Sequence, residues 1–173
     1  MDKATPAKPE VRAQAVYEAV RDPKPEAIVV YCSDPRFQTA FDQFIQKELN
    51  LPKGKFMPLV VGGGAGVLGN PTQLPKEFKF LKERFEFYRE AFPTIRRLIL
   101  INHEDCRYYN FLKGKLLGLL PSPLSVHHAR EDLSVVSKIF NMMLTHLGVT
   151  VDLYYAKFAD PQQSKIVFEK ITG

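Results

Sequence analysis

Cysteine is scarce in this chain: Cys32 and Cys106 are the only two in 173 residues, which excludes a disulfide-dense scaffold as the source of stability. No apolar run is long enough to span a bilayer, because the hydrophobic stretches are strand-sized and broken by glycine or charge. Met1 to Arg12 is polar and interrupted by Pro6 and Pro9, so no basic segment followed by an apolar core marks a secretory leader. Internal repeats and low-complexity segments are also missing. The expectation is a soluble, cytoplasmic protein without a membrane partner.

Basic clustering is absent too. The formal charge is +5, yet Lys76, Lys79, Lys82 and Arg84 alternate with Glu77, Glu83 and Glu86 on one helical segment, and Arg96-Arg97 introduce an apolar strand. Nucleic-acid binding needs clustered Lys and Arg, so these residues read as a solvated charged face and no nucleic-acid partner is expected. The run Gly62-Gly63-Gly64-Ala65-Gly66 lacks the Lys-Ser/Thr that completes a phosphate-binding P-loop and matches no dinucleotide fingerprint. A tight turn that lets the backbone come close to something is the expectation there.

What is present is enough apolar residue, 45% of the chain, to bury one substantial core. A single domain over residues 1–173 is expected, with the Pro- and Lys-rich residues 1–10 as a loose arm. Val11 to Val20 reads as a short helix closed by Asp22-Pro23-Lys24-Pro25. Ala27 to Tyr31 is a continuous β-branched run of the kind found in buried parallel strands, with Cys32 at its carboxyl end. Phe37, Phe41, Phe44 and Ile45 recur at helical spacing and end before Pro52.

Phe56 to Val61 reads as a second strand leading into the glycines. Phe78, Leu81, Phe85, Tyr88 and Phe92 mark one face of a long helix, leaving Phe80 and Phe87 to point elsewhere as a possible subunit contact. Leu98 to Ile101 is a third strand with Asn102-His103 at its exit. Tyr108 to Leu120 reads as helix, Pro121-Ser122-Pro123 as linker, and Leu133 to Leu147 as an amphipathic helix ended by Gly148. Val149 to Phe158 reads as strand and Pro161 to Ile171 as a short terminal helix. This alternation predicts an α/β fold of three layers around a mainly parallel central sheet of about four to five strands.

Both cysteines fall in short runs where a strand stops, Cys32-Ser33-Asp34-Pro35-Arg36 and His103-Glu104-Asp105-Cys106. Zinc takes thiolate and imidazole ligands, and a catalytic zinc keeps three protein ligands and one open position. Cys32, His103 and Cys106 supply such a set, and metal binding fits these thiols better than a disulfide or inert core cysteines. Asp34 and Arg36 are spaced so that they can meet through charge-assisted hydrogen bonds. Asp34 before Pro35 is also an ordinary helix-capping arrangement. His127, His128 and His146 lack thiol or carboxylate neighbours in the sequence and read as surface or packing residues.

C-x-D-x-R, followed about seventy residues later by H-x-x-C, resembles the β-class carbonic anhydrases. The resemblance implies a Zn2+ ion held by Cys32, His103 and Cys106, with Asp34 and Arg36 as a catalytic dyad beside the open position. It implies reversible hydration of carbon dioxide to bicarbonate by a zinc-bound hydroxide that the dyad orients. It further implies Asp34 as a fourth ligand in a closed state, and a homodimer or higher homo-oligomer. Two positions depart from the family pattern. Glycines of the 62–66 run replace the Arg and Asn of an R-N-A-G loop, and Arg107 replaces the glycine that usually follows the second cysteine. These departures motivate two alternatives: a related zinc hydrolase acting on carbonyl sulfide, carbon disulfide or another small electrophile, and a non-catalytic zinc-stabilised binding protein.

Overall fold

The computed structural model describes residues 16–69, 75–108, 111, 133, 135–140 and 148–172. Its centre is one five-stranded sheet built from β1 (Ala27–Cys32), β2 (Phe56–Val61), β3 (Arg97–His103), β4 (Thr150–Phe158) and β5 (Ile166–Ile171). The strands lie in the order β2-β1-β3-β4-β5. The first four are mutually parallel, and β5 joins β4 antiparallel. This is the three-layer, mainly parallel α/β architecture expected from the alternating elements.

The central strands β1 and β3 are buried on both faces because Ala27–Cys32 and Leu98 to Ile101 are continuous apolar runs. Ile28, Val30, Leu98, Leu100 and Leu153 enter one core with Leu81 and Phe85 of helix α2 (Pro75–Ala91) and with Leu133, Val136 and Phe140. Ala27, Val29, Ile99, Ile101, Tyr154 and Ala156 enter the other, with Phe37, Phe41 of helix α1 (Gln38–Gln43), and Ile45 on the π-helical turn Phe44–Glu48. Each fully buried Val, Leu or Ile side chain contributes about 1.5–3 kcal/mol of transfer free energy. Alternation along each strand therefore ties both helical layers to one sheet.

The order of the strands also makes a place for a site. From β1 the chain first adds β2 on one side, then returns to add β3 on the other, so the connections part between β1 and β3. Open parallel sheets bind ligands in the crevice at such a point, beyond the carboxyl ends of the strands. The β1–β3 ladder stops at Val30 and Leu100, before Cys32 and His103 are reached. The strand ends thus separate where the two motifs begin.

Two sequence expectations are overturned here. The segment expected to end as a helix over Pro161 to Ile171 forms a hairpin, in which Asp160 accepts backbone hydrogen bonds from Ser164 and Lys165 and Ile166–Ile171 pairs with β4. Ile166, Val167 and Phe168 are β-formers beside an available strand edge, and pairing with β4 wins over local helical spacing. Phe168 then stacks on Phe44 at a centroid distance of 3.9 Å. Of the expected helix Val11 to Val20, residues 16–20 have no regular structure, as Val16, Tyr17 and Val20 have no core to face.

Residues 107, 108, 111, 133 and 135–140 are helical. The arm at 1–10, the linker at Pro121-Ser122-Pro123, most of the helix expected from Tyr108, and His127, His128 and His146 lie outside the described residues. Among the described residues no helix is long and apolar enough to cross a membrane.

Candidate metal centre

Parallel pairing in neighbouring strands brings together residues 71 positions apart, because β1 delivers Cys32 and β3 delivers His103 to the same edge of the sheet. A turn through Glu104 and Asp105 then returns Cys106 toward Cys32. The Cys32 and Cys106 Sγ atoms are 3.7 Å apart and both are buried. The ligand atoms of Cys32, His103 and Cys106 all lie within 4.8 Å of one another.

The histidine is oriented for metal binding. His103 Nδ1 is 2.7 Å from the Glu104 carbonyl oxygen, which can only accept, so Nδ1 carries the proton. Nε2 keeps its lone pair, is buried, and has no hydrogen-bond partner. A buried polar atom left in this state is costly unless something fills its place. Nearby, the Cys32 thiol is pulled down to about 4, chiefly by its hydrogen bond with Cys106, which outweighs burial and is aided by His103 and the Asp34 backbone. An orphaned imidazole nitrogen facing two thiols, one readily ionised, is a donor set that fits a soft or borderline divalent cation such as zinc.

The loop after Cys32 is held by its own side chains. Gln38 Nε2 donates to the carbonyl oxygens of Cys32, at 2.8 Å, and Asp34, at 2.9 Å. The Asp34 carboxylate accepts from the Arg36 backbone N–H at 3.0 Å, and from Arg36 Nε and Nη2 at 3.1 and 2.8 Å. Its side chain is only 3% exposed. This bidentate contact holds the Asp34 carboxyl below the usual carboxylate range and raises the Arg36 guanidinium further. Helix α1 begins later, with Phe37 at its N-cap, so the capping alternative for Asp34 does not hold. Asp34 is also outside the convergent Cys32–His103–Cys106 group.

Arg36 reaches the second loop as well. Its Nη1 donates to Asp105 Oδ2 at 2.9 Å and its Nη2 to the Asp105 carbonyl at 2.7 Å. That second loop is tied to β4 in turn, since Glu104 N–H donates to the Ala156 carbonyl at 2.8 Å and the Glu104 carboxylate accepts from Phe158 N–H at 2.9 Å. The Phe37 ring lies 4.2 Å from the His103 ring and 5.1 Å from Phe158, forming an apolar wall.

The glycine run is the tight turn the sequence suggests. Gly64 has φ 55, and a Cβ there would meet the Ile101 carbonyl at 2.9 Å and Cys32 N at 3.1 Å. Its backbone therefore wedges between the parted ends of β1 and β3, and Asn102 Oδ1 secures the turn by accepting from Gly66 N–H at 2.9 Å. The Tyr108 ring packs over Gly62 and Gly63 and walls a cleft of about 290 Å³ shared with Val61, Val67, Phe80, Leu81 and the charged pair Lys76 and Glu77. Arg107, the conspicuous departure in the sequence, is exposed.

Asp105, Tyr108, Phe37 and Phe158 were not singled out as site residues by sequence reasoning. Asp105 had a visible cue, a carboxylate immediately before Cys106. Tyr108 had none, because its partner glycines are some forty-five residues earlier in the chain.

No family model and no curated relative matches the chain by sequence. Solved structures do. The β-carbonic anhydrase isoform I of the protozoan Trichomonas vaginalis matches at a TM-score of 0.50, with 11% identity over 89% of this chain and 87% of that one. The chain has the β-carbonic anhydrase fold. A second match, the β-carbonic anhydrase CcaA, also has a TM-score of 0.50, with 12% identity over 88% of this chain and 85% of its own. In this β-carbonic anhydrase fold the strand ends of β1 and β3 carry the Cys-His-Cys group.

Proposed function

We propose that the protein binds one zinc ion through Cys32, His103 and Cys106 and reversibly hydrates carbon dioxide to bicarbonate. The observation that carries this reading is the buried, partnerless His103 Nε2 converging with two thiols beside an ionised Asp34. Zinc in that position would supply a Lewis acid able to lower the pKa of a water so that carbon dioxide is attacked near neutral pH.

The chain's own residues do the rest. Asp34, kept ionised by Arg36, accepts a hydrogen bond from the attacking water and so aims its lone pair at the carbon. Arg36 prevents the carboxylate from turning away, since both its oxygens are engaged by the guanidinium. Phe37 and Phe41, packed against the His103 ring, exclude bulk water from that side. Orientation of this kind matters because a misaimed reacting group forfeits much of the benefit of proximity.

The deciding experiment is stopped-flow carbon dioxide hydration at mildly alkaline pH on protein carrying one zinc equivalent. Rapid hydration that disappears in Asp34→Ala supports the reading. No hydration at full zinc occupancy refutes it and leaves another small electrophile or a structural zinc as the remaining readings.

One observation favours a second substrate class. Tyr108 packs over Gly62 and Gly63, in the glycine run where the resemblance leads one to expect Arg and Asn. An aromatic wall in place of polar side chains suits a less polar electrophile such as carbonyl sulfide or carbon disulfide. Competition between these molecules and carbon dioxide on one zinc-loaded preparation separates the two readings.

A homo-oligomer belongs to the same proposal. Phe80, Phe87 and Phe111 are 45%, 54% and 54% exposed, which leaves apolar surface for a second copy to cover. Sedimentation would measure it directly.

A further inference from the structure

Arg36 stands between two carboxylates that belong to different loops. One edge of its guanidinium engages Asp34 on the Cys32 loop, and the other reaches the Asp105 carboxylate and carbonyl on the Cys106 loop. A planar guanidinium holds its donors in a rigid fork, so fixing the second edge fixes the first. Asp105 does so from a backbone in the left-handed region, at φ 49, with its carboxylate 2.9 Å from Arg36 Nη1. Aspartate and asparagine tolerate that conformation better than other non-glycine residues.

We propose that Asp105 is a positioning residue of the metal centre: it locks Arg36 across the two ligand-bearing loops and thereby holds Cys32 and Cys106 at the spacing the metal requires. The inference rests on the zinc-binding reading above. Asp105 acts through Arg36, and its carboxylate is not one of the converging ligand atoms. Groups that orient metal ligands from outside the coordination shell typically change metal affinity by about 10–100-fold when removed.

A double-mutant cycle tests it, with zinc affinity measured by competition against a chromophoric chelator. Asp105→Asn keeps the left-handed backbone and the hydrogen-bond acceptor but removes the charge; Asp105→Gly keeps the backbone and removes the side chain. The expected result is a loss of about tenfold or more in zinc affinity for Asp105→Gly and a smaller loss for Asp105→Asn. In an Arg36→Ala background both losses should vanish, since the residue through which Asp105 acts is gone. Visible absorption of the cobalt-loaded protein supplies a second readout, with the band positions of Asp105→Gly displaced toward those of Arg36→Ala.

Unchanged affinity in Asp105→Gly would overturn the inference, as would equal losses with and without Arg36. A wild-type protein that took up no zinc would overturn the zinc reading itself, a result distinct from additive losses in a protein that binds zinc normally.

Discussion

Gly62 and Tyr108 occupy one another's space: a Cβ on Gly62 would stand 2.9 Å from Tyr108 Cδ2 and 3.1 Å from its Cγ. The ring follows Cys106 by two residues, and the glycine follows β2 directly, so the contact joins the second ligand loop to the edge of the sheet. Replacing Gly62 with alanine should destabilise the protein by about 1–3 kcal/mol, the usual cost of forcing a methyl into packed space. In a Tyr108→Ala background the same substitution should cost far less. Chemical denaturation of the four proteins checks this, and equal costs in both backgrounds would remove the steric explanation.

Metal stoichiometry tests the ligand set without assuming any activity. Cys106→Ser and His103→Ala should each retain well under one zinc equivalent after dialysis, because a three-ligand site that loses one donor no longer completes the shell. Elemental analysis of the purified variants gives the answer. Full zinc in Cys106→Ser would show that the thiol pair is not the site.

Removal of the Arg36 side chain strips Asp34 Oδ2 of its guanidinium contacts and leaves Oδ1 only the Arg36 backbone N–H. The hydration rate of zinc-loaded Arg36→Ala should fall by about 10–100-fold, the range seen when a group that orients metal chemistry from outside the coordination shell is lost. A parental rate would refute the division of labour between Asp34 and Arg36. Arg36→Lys is the informative companion, because lysine keeps the charge but lacks the two-pronged contact and should recover only part of the rate.

Acid stability should report on the β3–β4–β5 part of the sheet. Asp152 on β4 receives Arg97 Nη2 at 3.2 Å and Lys170 Nζ at 2.9 Å. Burial alone would raise its pKa, but the hydrogen bonds from Lys170 and Arg97 prevail and the net direction is down. A carboxylate depressed in the folded state stabilises above its unfolded pKa, about 3.9, and loses that contribution as pH falls through the folded value. Asp152→Asn should therefore be less stable than the parent at pH 7, with the gap closing below about pH 4. Urea unfolding across pH checks the trend; a gap constant down to pH 2 would assign the effect to packing instead.

Much of the fold was legible because parallel strands buried on both faces are continuous β-branched runs. Ala27 to Tyr31 and Leu98 to Ile101 announce themselves, as do the helical spacings of Phe37, Phe41 and Ile45 and of Leu81 and Phe85. The candidate ligands could be named for a related reason. Cysteine and histidine at strand ends are chemically distinctive, and the topology of a parallel sheet places neighbouring strand ends side by side.

What the sequence by itself determined is therefore local: which segments extend, which coil, and which side chains have the chemistry to bind a metal. Tertiary structure alone decided the rest. The segment Ile166–Ile171 became a strand because β4 had an edge to pair with, a partner invisible to any window around residue 166. Asp105 meets Arg36 across 69 positions, and Tyr108 meets Gly62 over a similarly non-local path, so neither contact leaves a periodic trace. Periodicity records which face a residue turns toward the core, whereas the identity of its neighbour depends on how distant elements are brought together.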